Sequence, residues 1–205
     1  MSSRGTLRSD AIDAFLERWL EELLATPGLT GITDADEARR VLLEDALRAT
    51  ALLAHAAGPV VDVGSGGGSP GLPLACALPS LEFTLLEANR RKCAFLERIS
   101  TEVPNVGVVW ARAEEHQTDA YGVALAKALA KPPVAAELTL PLVRSGGTAI
   151  LWVGESADRD RVGEVARRLG ATLEADADGL LVLRKLGPTP PGFPRRVGMA
   201  KKRPL

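Results

Sequence analysis

Apolar positions in this chain follow two spacings in turn, and the switch between them lays out its elements. In residues 10–25, Ile12, Phe15, Leu16, Trp19, Leu20, Leu23 and Leu24 form one stripe at the 3.6-residue period of an amphipathic helix. Pro27-Gly28 ends it. A second helix is predicted from Thr33, whose hydroxyl can cap it. Asp34, Asp36 and Glu37 fall in its first turn, and Val41, Leu42, Leu43, Ala46, Leu47 and Ala51 carry it to about Ala57. From Pro59 the pattern changes: Val60, Val61 and Val63 make a short β-branched run, the mark of a strand buried on both faces. Further strands are predicted at 81–86, 105–110, 122–126 and 148–153, alternating with helices that begin near Pro70 and at 90–100, 132–142 and 158–169. The last two strands, 171–174 and 180–185, flank Asp178-Gly179, a strong hairpin signal. The layout is α/β: a doubly wound, mostly parallel seven-stranded sheet with an antiparallel C-terminal hairpin. Three divisions are expected: an N-terminal helical extension packed on the core (1–57), the core (58–188) and a basic C-terminal tail (189–205).

Candidate chemistry concentrates where the first strand ends, in Asp62-Val63-Gly64-Ser65-Gly66-Gly67-Gly68-Ser69-Pro70-Gly71-Leu72-Pro73-Leu74. Side-chain-poor backbone lets a ligand approach closely, and prolines suit the first turn of the helix that follows. Strand, glycine turn and helix start together aim free N–H groups at a nucleotide-like ligand. No lysine follows the glycines, which excludes a P-loop. The dinucleotide fingerprint is met at Gly64 and Gly66, but Ser69 stands where its third glycine belongs, and Asp62 would repel a pyrophosphate. An acid-led turn suits a cationic ligand. This Asp-x-Gly-x-Gly-x-Gly run resembles the first motif of class I methyltransferases, the Rossmann-like enzymes whose cofactor, S-adenosyl-L-methionine, carries an ammonium and a sulfonium but no phosphate. The closing hairpin agrees, since that fold reverses its last strand. Glu87, 23 residues after Gly64, lies near the spacing at which an acid meets ribose hydroxyls.

Composition narrows the picture further. At 205 residues, 46% hydrophobic and 25% charged, the chain reads as one soluble globular body large enough to bury a core. Seven of the 25 basic residues and none of the 26 acidic ones fall in 184–205, so the remainder carries a net −8. A basic end on an acidic body is a candidate anchor for phosphate. Two cysteines, Cys76 and Cys93, are too few for a zinc site or a disulfide framework, so no metal is expected; both sit on apolar helix faces. The absence of a signal peptide or membrane span points to the cytoplasm.

Most of the chain resembles the bacterial guanosine-N7 methyltransferases of small-subunit ribosomal RNA, the GidB type. The resemblance spans roughly 29–205. It rests on the Asp62–Leu74 run, on Leu85-Leu86-Glu87-Ala88-Asn89-Arg90-Arg91-Lys92 with Phe95-Leu96-Glu97, and on Arg112-Ala113-Glu114-Glu115. The ending Thr189-Pro190-Pro191-Gly192-Phe193-Pro194-Arg195-Arg196 to Lys201-Lys202-Arg203-Pro204-Leu205 also matches. The resemblance implies methyl transfer from S-adenosyl-L-methionine to N7 of a guanosine in 16S rRNA. Gly64 and Ser69 would line the methionine end of the cofactor, with Asp62 ordering the loop and that end, and Ser65, Gly66 and Gly68 would also bind the cofactor. Glu87 would take the ribose hydroxyls, and Ala113 and Glu114 would flank the adenine. Lys127, where the family carries an arginine, would touch the cofactor and orient the target base. Arg195, Arg196, Lys201, Lys202 and Arg203 would meet RNA, with Phe193 either stacking on a base or packing the tail onto the body. On that reading, loss of 189–205 weakens RNA binding and spares cofactor binding. The partner is small-subunit rRNA or the assembling subunit, met by a monomer.

N7 presents a free lone pair, so the chemistry needs orientation more than a general base. His55 and His116 accordingly read as structural. Three departures from the family pattern keep other readings open. They are Lys127, Val153 in place of a lysine, and Leu42-Leu43-Glu44-Asp45-Ala46 without the usual histidine. One alternative is a class I methyltransferase acting on another RNA or a small molecule. The other is a ribosome-binding relative that methylates nothing.

Overall fold

The computed structural model of the chain describes residues 9–205. The β-branched run at 60–63 becomes β1 (Val60–Val63), buried along its whole length at the centre of the sheet. Phe83–Glu87 (β2) and Val106–Trp110 (β3) extend the sheet on one side. Tyr121–Ala126 (β4), Val143–Trp152 (β5), Ala171–Ala177 (β6) and Leu180–Lys185 (β7) extend it on the other. The order is β3-β2-β1-β4-β5-β7-β6, parallel except where β7 pairs antiparallel with β5 and β6. The hairpin turn is built as its sequence requires, with Asp178 and Gly179 both at positive φ (51° and 73°). The chain leaves β1 toward β2 and β3, then crosses to β4 on the opposite side. This reversal opens a crevice at the C-terminal ends of β1 and β4, where ligands bind in open α/β sheets.

Alternate residues of each strand feed two cores. Val60, Leu85, Leu125 and Ile150 face one side, under the helices Ser9–Ala25 (α1), Gly71–Ala77 (α5) and Arg90–Ile99 (α6). Val61, Val63, Ala124 and Leu151 face the other, under Pro132–Thr139 (α7) and Arg159–Arg168 (α8). Trp19 is completely buried, and its Nε1 donates to the Gly67 carbonyl at 2.8 Å. The N-terminal helix is thereby fastened to the glycine turn.

The second predicted helix differs from expectation. Its cap is Asp34, whose carboxylate accepts the Glu37 N–H at 2.8 Å, rather than Thr33. It breaks into Ala35–Ala38, a π-helical stretch at Arg39–Glu44, Asp45–Leu47 and Thr50–Leu53 (with the three α segments numbered α2 to α4), and stops short of Ala57. The break has a visible cause. Ser69 Oγ donates to the Leu42 carbonyl at 2.7 Å and Trp152 Nε1 to the Asp45 carbonyl at 3.0 Å, groups that a regular helix would keep for itself.

The C-terminal residues are folded onto the body. Thr189 donates its N–H and hydroxyl to Asp119, and Leu205 is buried. Arg195 grips the buried Glu137 through Nε (2.5 Å) and Nη2 (2.7 Å), and Met199–Lys202 forms α9. Lys185, one of the basic residues counted toward the tail, is a fully buried strand residue. Its Nζ donates to the Leu140 and Val143 carbonyls and to Thr189 Oγ1, with Asp119 at 3.4 Å. Phe193 packs against the second core.

Candidate active site

Beyond β1 the chain hooks onto its neighbour: the N–H groups of Gly64 and Ser65 both donate to the Leu86 carbonyl. Gly64 sits at φ 72°, and a Cβ there would press on Leu129. Gly67 and Gly68 also serve packing, since added methyls would meet Leu23 in the first case and Leu72 and Trp19 in the second. Gly71 lies against Leu85 and Asp62, and its N–H donates to Asp62 Oδ2 at 3.1 Å.

Two acids lie under this turn. Asp62 is 1% exposed, and burial pushes its carboxyl up to about 7; the Gly71 N–H, the Ser65 hydroxyl and the Lys127 charge oppose that rise, while the Glu87 charge adds to it. Glu87 accepts the Gly66 N–H at Oε2 (2.9 Å) and the Asn89 N–H at Oε1 (2.7 Å), so it braces the turn from the end of β2.

Two adjoining clefts open above them and share Gly64, Lys92 and Ala128. One, of about 310 Å³, runs past Glu87, Ala88, Arg112, Ala113 and Glu114 to Gly198 and Lys201. The other, of about 180 Å³, lies between Gly64–Ser69, Leu29–Thr30 and Lys127. Ala128, between Lys127 and Leu129, holds a positive φ of 53°, backbone strain of the kind that collects at functional sites. The Lys127 side chain is 9% exposed, with Nζ 3.6 Å from Asp45. Burial lowers its pKa, and the Asp45 and Asp62 charges partly restore it. A larger hollow of about 440 Å³, with His55, Gly122 and Arg144 on its wall, lies at the opposite ends of the strands, away from the switch point.

The structure thus gathers Gly64, Gly66, Ser69, Glu87, Ala113, Glu114 and Lys127 around one groove. Asp62 and Gly68 lie behind it: the first is enclosed beneath the turn, and the second faces Trp19 and Leu72. Ser65 borders the groove but turns its hydroxyl inward to the Asp62 carbonyl at 2.8 Å. Arg195 does not present a free guanidinium, because Glu137 and the Arg203 carbonyl occupy it. Arg196, Lys201, Lys202 and Arg203 make no ion pair among the described residues. Of the histidines, His116 shares a 2.7 Å hydrogen bond with the Tyr121 hydroxyl, and its pKa is lowered by burial.

Sequence reading missed several wall residues. Lys92 is in the first turn of α6, shortly after Glu87, a position its motif already marked. Leu29 and Thr30 come from the loop after α1, and Gly198 from the tail, with nothing local to signal either.

The sheet order and this groove define a class I S-adenosylmethionine-dependent methyltransferase. Two solved structures share the fold. A TehB-like SAM-dependent methyltransferase from Corynebacterium glutamicum has a TM-score of 0.55 and 17% identity, covering 87% of this chain and 100% of that one. The antibiotic-resistance methyltransferase Kmr gives 0.51 and 19%, covering 69% and 91%. The family model for rRNA small subunit methyltransferase G, GidB, matches residues 11–169. Ribosomal RNA small subunit methyltransferase G of a Synechococcus sp. is 35% identical over 206 residues, covering 88% of this chain and 79% of its own. The protein of that name from Rubrobacter xylanophilus is 37% identical over 209 residues, covering 89% and 80%. The chain belongs to the rRNA small subunit methyltransferase G family, and its cofactor is S-adenosyl-L-methionine.

Proposed function

We propose that this protein methylates N7 of a guanosine in 16S rRNA, as a cytoplasmic monomer acting on the small subunit or its RNA. One observation supports N7 over a position that must first lose a proton. Among the described residues the acids and the histidine near the groove already have structural partners: Glu87 has both oxygens on loop amides, Glu114 accepts the Gly198 N–H through Oε1, Asp62 is enclosed, and His116 is bonded to Tyr121. N7 already carries its lone pair, so the protein need only hold the base in line.

The groove suits the cofactor's chemistry. Its longer limb runs past Glu87, a carboxylate placed to meet ribose hydroxyls, and its shorter limb is bounded by backbone of the glycine turn. In this reading Ala113 and Glu114 flank the adenine, Gly64, Gly66 and Ser69 border the methionine end, and Asp62 supplies negative charge from below. When bound, the cofactor supplies an electrophilic methyl whose positive charge disperses on transfer. Leu23, Leu29 and Leu42 exclude water beside it. Lys127 orients the substrate, held by Asp45.

Lys127 in place of arginine favours a second reading, another RNA as substrate, because lysine lacks the bidentate fork. Mapping N7-methylguanosine in 16S rRNA from a strain lacking the gene tests both. Loss of one modified guanosine is expected; an unchanged 16S map would overturn the first reading.

A further inference from the structure

Trp110 is the large aromatic that folding leaves outside. It ends β3, an edge strand of the sheet, and is 57% exposed. Exposed aromatic surface on a sheet edge invites aggregation and earns no stability from burial. Yet the ring is fixed. Its Nε1 donates to the Ala88 carbonyl at 3.1 Å, and the Arg90 guanidinium lies 5.1 Å from its centroid. Register places it beside the groove: Trp110 pairs with Glu87, and the next residues, Ala111 and Arg112, line the longer limb.

The cations around it are clustered. Some surface arginines, such as Arg18, Arg39, Arg98 and Arg161, contact a carboxylate, while others, Arg196 and Arg203 of the tail among them, do not. Among the described residues Arg90, Arg91, Lys92 and Arg112 make no such pair, although the chain carries slightly more acids than bases. Arg90, Arg91 and Lys92 also occupy the first turn of α6, which holds no acid, against the sign its dipole prefers. Local rules broken without a folding benefit mark functional surface.

We propose that Trp110, backed by Arg90, is a stacking platform for an unpaired nucleobase of the RNA substrate, with Arg91, Lys92 and Arg112 on its phosphates. This rests on the RNA-methyltransferase reading and adds the path by which the strand reaches the groove. Every base has a π-face, so the platform supplies affinity and not the choice of nucleotide.

The test uses the full chain and a single-stranded oligoribonucleotide spanning the guanosine that the 16S methylation map identifies. Trp19 is buried and Trp152 partly so, which leaves Trp110 as the exposed emitter. RNA should quench the fluorescence of the wild type, and Trp110→Phe should lose that quench. Trp110→Ala should bind RNA roughly ten-fold more weakly with an unchanged salt slope, while Arg112→Ala should lower the slope by about 0.7. Heparin, a polyanion without bases, should bind wild type and Trp110→Ala alike. S-adenosylhomocysteine affinity in Trp110→Ala should equal that of wild type, which separates a lost contact from a misfolded chain. Wild-type RNA affinity in Trp110→Ala, or equal losses for RNA and heparin, would overturn the platform. An unchanged 16S methylation map would instead remove the substrate reading on which it stands.

Discussion

Gly198 donates its backbone N–H to Glu114 Oε1 at 2.9 Å, so the C-terminal segment forms a wall of the cofactor groove. This changes what the tail is expected to do. Deleting 189–205 removes that wall and the Thr189 partner of buried Lys185. We predict at least a ten-fold loss of S-adenosylhomocysteine affinity by calorimetry, in addition to weaker RNA binding. Glu114→Ala, which keeps the tail but releases this anchor, should show a smaller loss of the same sign. Cofactor affinity untouched by the deletion would mean that the tail serves RNA alone.

Arg195 and Glu137 make a second tie between tail and body, and one partner is 3% exposed. Breaking a buried pair strands a charge, at a cost of about 3–5 kcal/mol. Arg195→Ala should therefore lower unfolding free energy by about that amount in urea titration. Arg195→Met with Glu137→Leu should recover most of it. The charge count of the tail read this arginine as an RNA contact, and the fold employs it as a brace.

How much of this was legible depends on range. The strand at 60–63, the Asp178-Gly179 hairpin and the glycine turn are written in adjacent residues, and the fold follows them. Glu87 was legible from its spacing after the glycine turn, at the end of β2, and Lys127, just past β4, from the family resemblance. Thr30 and Gly198 were not, because they come from far along the chain and only packing brings them there. The interrupted helix at 35–53 failed for a similar reason: Ser69 and Trp152, distant in sequence, take its carbonyls. The glycines were legible as a turn but not in their separate duties.

Gly67 illustrates those duties. Its missing side chain admits Leu23, and its carbonyl receives Trp19. Gly67→Ala should destabilise the protein by about 1–3 kcal/mol through overpacking and weaken cofactor binding as α1 shifts. Adding Leu23→Ala should relieve the clash, so a double-mutant cycle by thermal melting should show strong favourable coupling. Additive losses would place the strain elsewhere.

Lys127 supplies a charge at the groove that Asp45 holds in place. Lys127→Ala should lower kcat by about 100-fold, the scale of a lost orienting contact, with S-adenosylhomocysteine affinity changed much less. Lys127→Arg should retain most activity. A loss confined to cofactor affinity would move Lys127 from orientation to binding.

Asp62 makes stability depend on pH. Its carboxyl titrates near 7 when folded, against an ordinary 3.8, because burial disfavours the charged form. Between those values the folded protein holds a proton that the unfolded chain releases. Asp62 therefore imposes no penalty below about pH 4, an increasing one as pH rises toward 7, and a constant one above. Asp62→Asn removes this titration and can keep the oxygen that accepts the Gly71 N–H. Denaturation of both proteins from pH 4 to 8 should give a difference curve in which wild type falls progressively behind, then runs parallel above pH 7. A positively charged ligand above this acid favours its ionised form. Binding of S-adenosyl-L-methionine below pH 7 should thus release protons, read by calorimetry in two buffers of different ionisation heat, and Asp62→Asn should abolish the release. A flat difference curve would place the ionised carboxylate in the fold at all these pH values, stabilised by Lys127 and the turn amides more strongly than burial opposes it.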